Sequence, residues 1–162
     1  MKNGVYCALS ALLAAGLLVP APATAECYDP PAAYVIWAKC DFARKNFEGA
    51  NLKRAVLEDS VLHHANLKGA NLEKADLRGA DMSNADMSGV NLKNAKLMKA
   101  MLLDTDLSGA DLSGANLEGA NLERANLTGA NLTGANLDAA SMSGATWTDG
   151  RKCKGNSVGE CK

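Results

Sequence analysis

Large rings are scarce in this chain: Phe, Trp and Tyr together make up 4% of its 162 residues, too few for a mixed core built on aromatic packing. Charge of one sign is not in excess. Once Lys2 is set aside with the leader described below, 16 basic side chains face 18 acidic ones, a formal charge of −2. That balance gives no electrostatic pull towards nucleic acid or an anionic membrane. No CxxC occurs, and His63 and His64 stand far in sequence from every cysteine, so zinc-site spacing is missing. No Ser, Cys or carboxylate is placed by a motif to form a triad with the histidines, whose consecutive side chains should diverge around a corner. The sequence therefore offers no catalytic, cofactor-binding or metal-ligating residue, and the chain reads as a non-enzyme without a cofactor.

What is present is Ala and Leu, which dominate a hydrophobic content of 48% and exclude a generally disordered chain. A narrow, repetitive core fits such side chains, which are small or not branched at Cβ. The first 25 residues differ from the rest: Lys2 supplies a positive start, an apolar stretch runs through Leu9, Leu12, Leu13, Leu17, Leu18 and Val19, and Ala23-Thr24-Ala25 forms a small-residue cleavage pattern. Residues 1–25 are thus expected to be a signal peptide cut after Ala25, leaving a periplasmic or secreted chain. The apolar run is broken by Pro20 and Pro22 and falls short of the roughly 20 residues a membrane span needs, so no span is expected after cleavage. Cys7 has no Leu-rich lipobox before it and leaves with the leader. Four cysteines then remain, Cys27, Cys40, Cys153 and Cys161, an even number suited to disulfides in an oxidising compartment. Three pairings are open by counting, and a rigid, elongated middle would favour Cys27 with Cys40 and Cys153 with Cys161.

That middle is periodic. Residues 40–149 divide without insertion into 22 blocks of five with the consensus Ala-(Asn/Asp)-Leu-X-X. A period of five is incompatible with a straight helix, where five residues turn about 500° and the leucines would wander over every face. It is equally incompatible with a straight strand, whose side chains alternate with period two. Both objections vanish if the chain turns a corner once per block, so that Ala and Leu, two apart on a short extended segment, both point inward. The two X residues form the corner, with frequent Gly at the fifth position supplying turn freedom. Asn or Asp points outward, where its short side chain can bond neighbouring backbone.

Ala-(Asn/Asp)-Leu-X-X in tandem resembles the pentapeptide-repeat family. The resemblance implies an all-β fold, a right-handed quadrilateral β-helix with four units per coil and hence about five and a half coils. It divides the mature chain into an N-terminal capping segment, 26–39, the β-helix, 40–149, and a C-terminal capping tail, 150–162. Phe42 and Phe47 take centres in the first coil, Trp147 takes the last, and Trp37 falls one unit before the repeats, so these rings are expected to cover the ends. Cys40 occupies an inward Ala slot, consistent with the preceding segment folding over the top and being pinned through Cys27. Lys45 violates the pattern by taking an inward slot. Ser60 and Thr105 place hydroxyls inward and need backbone partners.

Function has to reside on outward slots. Val61, His63, Met101 and Leu103 are expected on one face two coils apart, a possible patch for an unidentified protein partner. The expected role is a structural or protein-interaction scaffold. The family also includes DNA mimics that inhibit gyrase, an alternative faintly supported by seven acids against Arg124 alone between residues 100 and 149, a net −6. Such mimics are much more acidic, a secreted chain does not meet gyrase, and with the charge near balance no nucleic-acid partner is expected. One outward column, Glu48, Lys68, Ser88, Ser108, Thr128, Thr148, is too mixed for ice or glycan binding.

Overall fold

The computed structural model describes residues 27–162; the expected leader and its cleavage site lie outside the described residues. Parallel bridges join residues twenty apart along the chain, from Ile36 with Val56 to Asn126 with Thr146. Four five-residue units therefore complete one coil, and the second residue of each unit falls into one of four vertical columns. The first face carries Ile36, Val56, Asp76, Lys96, Asn116 and Asn136. The second carries Asp41, Val61, Asp81, Met101, Asn121 and Ser141. The third runs from Asn46 to Thr146, and the fourth from Asn51 to Asn131.

The five N–H groups of a typical unit are all accounted for, as backbone away from bulk water requires. Leu72 N–H donates to the Asn91 carbonyl of the next coil, and Asn71 N–H to the Ala50 carbonyl of the previous one. The fifth-position N–H also donates to the next coil, as from Lys74 to Lys93. The Ala N–H closes the corner on the Leu carbonyl three residues earlier, as from Ala75 to Leu72. The fourth N–H has no backbone acceptor, and the outward Asn or Asp supplies one: Glu73 N–H donates to Asn71 Oδ1 at 3.1 Å and Ser108 N–H to Asp106 Oδ1 at 2.9 Å.

Corner geometry is set by the fifth residue. From Tyr34 to Gly144 every fifth residue has φ between 55° and 70°, the left-handed setting that a type II turn needs at its third position. Arg54, His64 and Lys99 hold it as regularly as Gly109 or Gly129. Cross-coil hydrogen bonding thus overrides the steric cost of roughly 1–2 kcal/mol for a side chain in that region. Corners stop at Asp149, where Gly150 takes the positive φ instead.

Inside the column, Ala and Leu alternate in a continuous buried stack from Leu52 to Leu127. Full burial of each Leu contributes roughly 1.5–3 kcal/mol. Met82, Met87 and Val90 are as buried as their neighbours, so the flexible methionines accommodate the extra bulk of Val90. Ser60 Oγ donates to the Leu57 carbonyl at 2.8 Å and Thr105 Oγ1 to the Met82 carbonyl at 2.9 Å. Lys45 is exposed while its unit keeps regular backbone bonds: the side chain escapes and the unit does not fray.

The coil geometry begins earlier than the Cys40 boundary, because Val35 and Trp37 are buried like an Ala and a Leu and Ile36 bridges Val56. Trp37, Phe42 and Phe47 form the top of the core, with ring centroids 4.6 to 5.5 Å apart. Cys27 and Cys40 sulfurs lie 2.02 Å apart at this end, and those of Cys153 and Cys161 lie 2.00 Å apart at the other. The tail pairs antiparallel under two faces only, Val158 with Ser141 and Lys152 with Thr146.

Replacing Leu97 by Ala, deep in the stack, should destabilise the fold by about 2–5 kcal/mol, measured by urea unfolding. The same change at Leu137, half-exposed in the last coil, should cost clearly less.

Candidate functional site

Charged groups on the faces pair mostly along the column axis. Lys53 Nζ meets Glu73 at 2.7 Å, and Arg124 grips the Asp104 carboxylate with two bonds of 2.7 and 2.8 Å. Arg78 lies 2.7 Å from Asp76 and 3.3 Å from Glu58. Arg124 holds the Asp104 carboxyl below its ordinary range by hydrogen bonding, and Lys53 does the same for Glu73. For Asp76, burial pushes the pKa up, but the Arg78 guanidinium outweighs it and the net direction is down. Asp86 and Asp111 are lowered chiefly by the hydroxyls of Ser88 and Ser113. Exposed pairs of this kind contribute little individually, about 0–1 kcal/mol, so they organise the surface more than they hold the column together.

The second position identifies where the surface departs from structural need. Between Asn46 and Asn136 it is Asn or Asp in every unit except Val56, Val61, Lys96 and Met101. These four abandon the side-chain acceptor that satisfies the fourth N–H. Among the described residues no acceptor is found for the N–H groups of Glu58, His63, Met98 and Leu103. All four departures lie on two adjacent faces: Val56 and Lys96 on the first, Val61 and Met101 on the second.

Val61, His63, Met101 and Leu103 do share the second face, but Asp81 bridges both Val61 and Met101 and so stands between them. Met101 is 44% exposed, while Val61, His63 and Leu103 are half-buried. Consecutive histidines were expected to diverge, whereas the His63 and His64 rings lie edge to face with centroids 5.5 Å apart. Among the described residues no group of three or more His, Cys, Asp or Glu is arranged to hold a metal, and no helix is long and apolar enough to cross a membrane.

Val56 and Lys96 were not singled out from sequence, although their break with the consensus second position was readable. Each directly precedes the Val61 or Met101 unit, and the twenty-residue register stacks the two pairs along one corner. At that corner a shallow depression is lined by Glu58, Asp59, Arg78, Gly79, Met98 and Lys99. It forms where the Asp59 carboxylate lies over Gly79, a position with no side chain of its own.

A family model described as pentapeptide repeats matches in eight copies over residues 40–144. Among solved structures, the chain is similar to the pentapeptide-repeat protein Rfr23 from the cyanobacterium Cyanothece 51142, at 30% identity and a TM-score of 0.58. That match covers 66% of this chain and 90% of Rfr23. It is also similar to a trypsin-treated variant of QnrB1, a plasmid-mediated fluoroquinolone resistance protein, at 24% identity and a TM-score of 0.67, covering 70% of this chain and 58% of that one. HetL, a pentapeptide-repeat protein from Nostoc, is 35% identical over 74% of this chain and 66% of its own, with a TM-score of 0.35. A search of curated proteins finds no match.

Lowered carboxyl pKa values fix the sign of the acid response. A group whose folded pKa lies below its unfolded value of about 3.9 stabilises the fold above that pH, and the contribution is lost as pH falls through the folded value. Melting temperature should therefore be flat above about pH 5 and drop below about pH 4. A variant with Asp76, Asp86, Asp104 and Asp111 all changed to Asn, which keeps each side-chain carbonyl, should lose part of that drop when thermal melts are compared across pH.

Proposed function

The chain belongs to the pentapeptide-repeat family, and on that premise we propose that it is a secreted or periplasmic, non-catalytic scaffold that binds a protein partner across its first and second faces. Pentapeptide-repeat proteins fold as right-handed quadrilateral β-helices and are generally non-catalytic; this one would form a column of about five and a half coils. The reading rests on the clustering of Val56, Val61, Lys96 and Met101. Elsewhere between Asn46 and Asn136 the second residue serves the turn, so two neighbouring pairs of units, with the Asp76 and Asp81 units between them, have exchanged local stability for surface chemistry. They present apolar side chains beside free N–H donors and a flanking Arg78, Glu58 and Lys99, the mixture of apolar centre and polar rim found at protein interfaces. The coils that carry them are tied by backbone bonds to the coils above and below, so the patch is preorganised and loses little entropy on binding. Two disulfide-distance cysteine pairs and the leader pattern support an oxidising compartment.

A second reading, a DNA-mimicking inhibitor of a nucleic-acid enzyme such as gyrase, is favoured by the net −6 between residues 100 and 149. The exposed tail adds Arg151, Lys152 and Lys154, which weakens the mimicry.

Crosslinking in a native envelope fraction should capture a protein whose recovery falls at least about tenfold when Met101 and Leu103 are both changed to Ser, with the circular dichroism spectrum unchanged. Capture unaffected by that change would remove the first and second faces from consideration. A supercoiling assay tests the second reading, since a DNA mimic must inhibit gyrase at stoichiometric concentrations and a scaffold leaves it untouched.

A further inference from the structure

The lower end of the column is half closed. The tail runs beneath the second and third faces, where Gly159 N–H bonds the Ala140 carbonyl, Cys153 N–H bonds the Ala145 carbonyl, and Ser157 and Cys153 are buried as a floor. Beneath the fourth and first faces nothing takes that place. Among the described residues, the Leu132, Gly134, Leu137 and Ala139 N–H groups and the Ala130 and Ala135 carbonyls find no backbone partner. In every coil above, the corresponding groups bond the next coil. Leu132, Ala135 and Leu137 of the two uncovered units are only partly buried against the core. The tail strand has a free edge too. Lys152 and Val158 make no backbone bond with either their N–H or their carbonyl, and Val158 is 53% exposed.

We propose that a second copy of this chain closes the opening, with each tail strand pairing parallel to the open edge of the other copy. The hydrogen-bonding inventory is self-complementary. Between coils, an Ala carbonyl accepts from the second residue one coil below, whose own carbonyl accepts from the Leu N–H. Val158 of the partner copy can fill that role opposite Asn136, taking the Ala135 carbonyl and the Leu137 N–H. Lys152 of the partner copy can fill it opposite Asn131, taking the Ala130 carbonyl and the Leu132 N–H.

Directions and heights agree as well. A twofold axis perpendicular to the column, passing through the corner between the first and second faces, sets the first face over the partner's second and the fourth over the partner's third. Facing coil strands are then antiparallel. Because each tail runs antiparallel to its own coil, it comes out parallel to the partner's edge, as the required bonding pattern demands.

Each face of a coil lies about 1.2 Å below the one before it, a quarter of the roughly 4.8 Å strand spacing. The first face is thus one step deeper than the fourth, while the partner's second is one step shallower than its third. The two sides sum to the same separation, and the copies meet without tilt. Pairing about the other diagonal would put two tail layers on one side and none on the other. Charge favours the match. The tail carries Arg151, Lys152, Lys154 and Lys162 against Glu160, and it approaches an end whose coils hold a net −6. This is a closed, isologous arrangement, which ends at two copies.

Sedimentation equilibrium of the purified chain with its disulfides intact should give a dimer mass, and hydrogen exchange should show the Leu132 and Leu137 amides protected only at dimer concentrations. Changing exposed Thr133 to Lys leaves every backbone bond in place but, with Lys152 of the partner copy opposite Asn131, sets a like charge against the partner's Lys154. It should weaken association at least about tenfold with the melting temperature unchanged. Val158→Pro, which removes the donor opposite Ala135, should do the same. A monomer at all attainable concentrations with both amides exchanging freely overturns the proposal, as does a dimer indifferent to both substitutions.

Discussion

One bond in each unit has no backbone solution, and the rest of the molecule is arranged around that fact. When the chain turns a corner every fifth residue, four of the five N–H groups find carbonyls in the same corner or an adjacent coil, while the fourth-position N–H faces outward. A short side chain with a carbonyl oxygen two residues earlier is the local remedy, and Asn or Asp provides it. The row of acidic and amide side chains along the column therefore belongs to the backbone's own accounting. Exceptions to it become visible against that requirement. The inward Ala and Leu then supply the burial that makes the bend favourable, and a slender core needs no large rings except at its ends.

Much of this could be read from residues alone, because the period of five excludes straight elements and the identities of Ala, Asx and Leu assign each slot a direction. Four sides, in contrast, came from family resemblance; only the bridges between residues twenty apart display them. Lys45 could be seen as a violation, but its outcome depended on whether the side chain or the backbone gave way. Regular bonds from Phe42 through Asn66 show that the side chain did. Corner glycines explained part of the turn. That Lys, Arg, His and Asp adopt the same positive φ is a tertiary effect, since the ladder fixes a conformation that no local preference would choose.

The surface was less legible for the same reason. Val61 and Met101 stood out as exposed apolar residues, yet what they share with Val56 and Lys96 is a missing function, the lost acceptor for the fourth N–H. Their grouping across one corner is a matter of register. The two ends also differ in ways that spacing could not show. Above, the first coil is sealed by Trp37, Phe42 and Phe47, with Trp37 only 1% exposed. Below, the tail covers two faces of four and leaves the others with unpaired backbone and half-buried leucines. A solenoid needs capping at both ends to avoid edge association, so an incomplete cap is itself a statement about interaction.

Cross-coil proximity between amides decides the account most directly. In an isotope-labelled sample, nuclear Overhauser contacts between backbone amides should connect units whose second residues are twenty apart, such as those of Asn71 and Asn91 or Asp106 and Asn126, throughout the column. Contacts at a separation of fifteen would mean three sides, and a ladder of contacts at three and four would mean helix; either result would contradict a four-cornered coil with Ala and Leu on its inner wall.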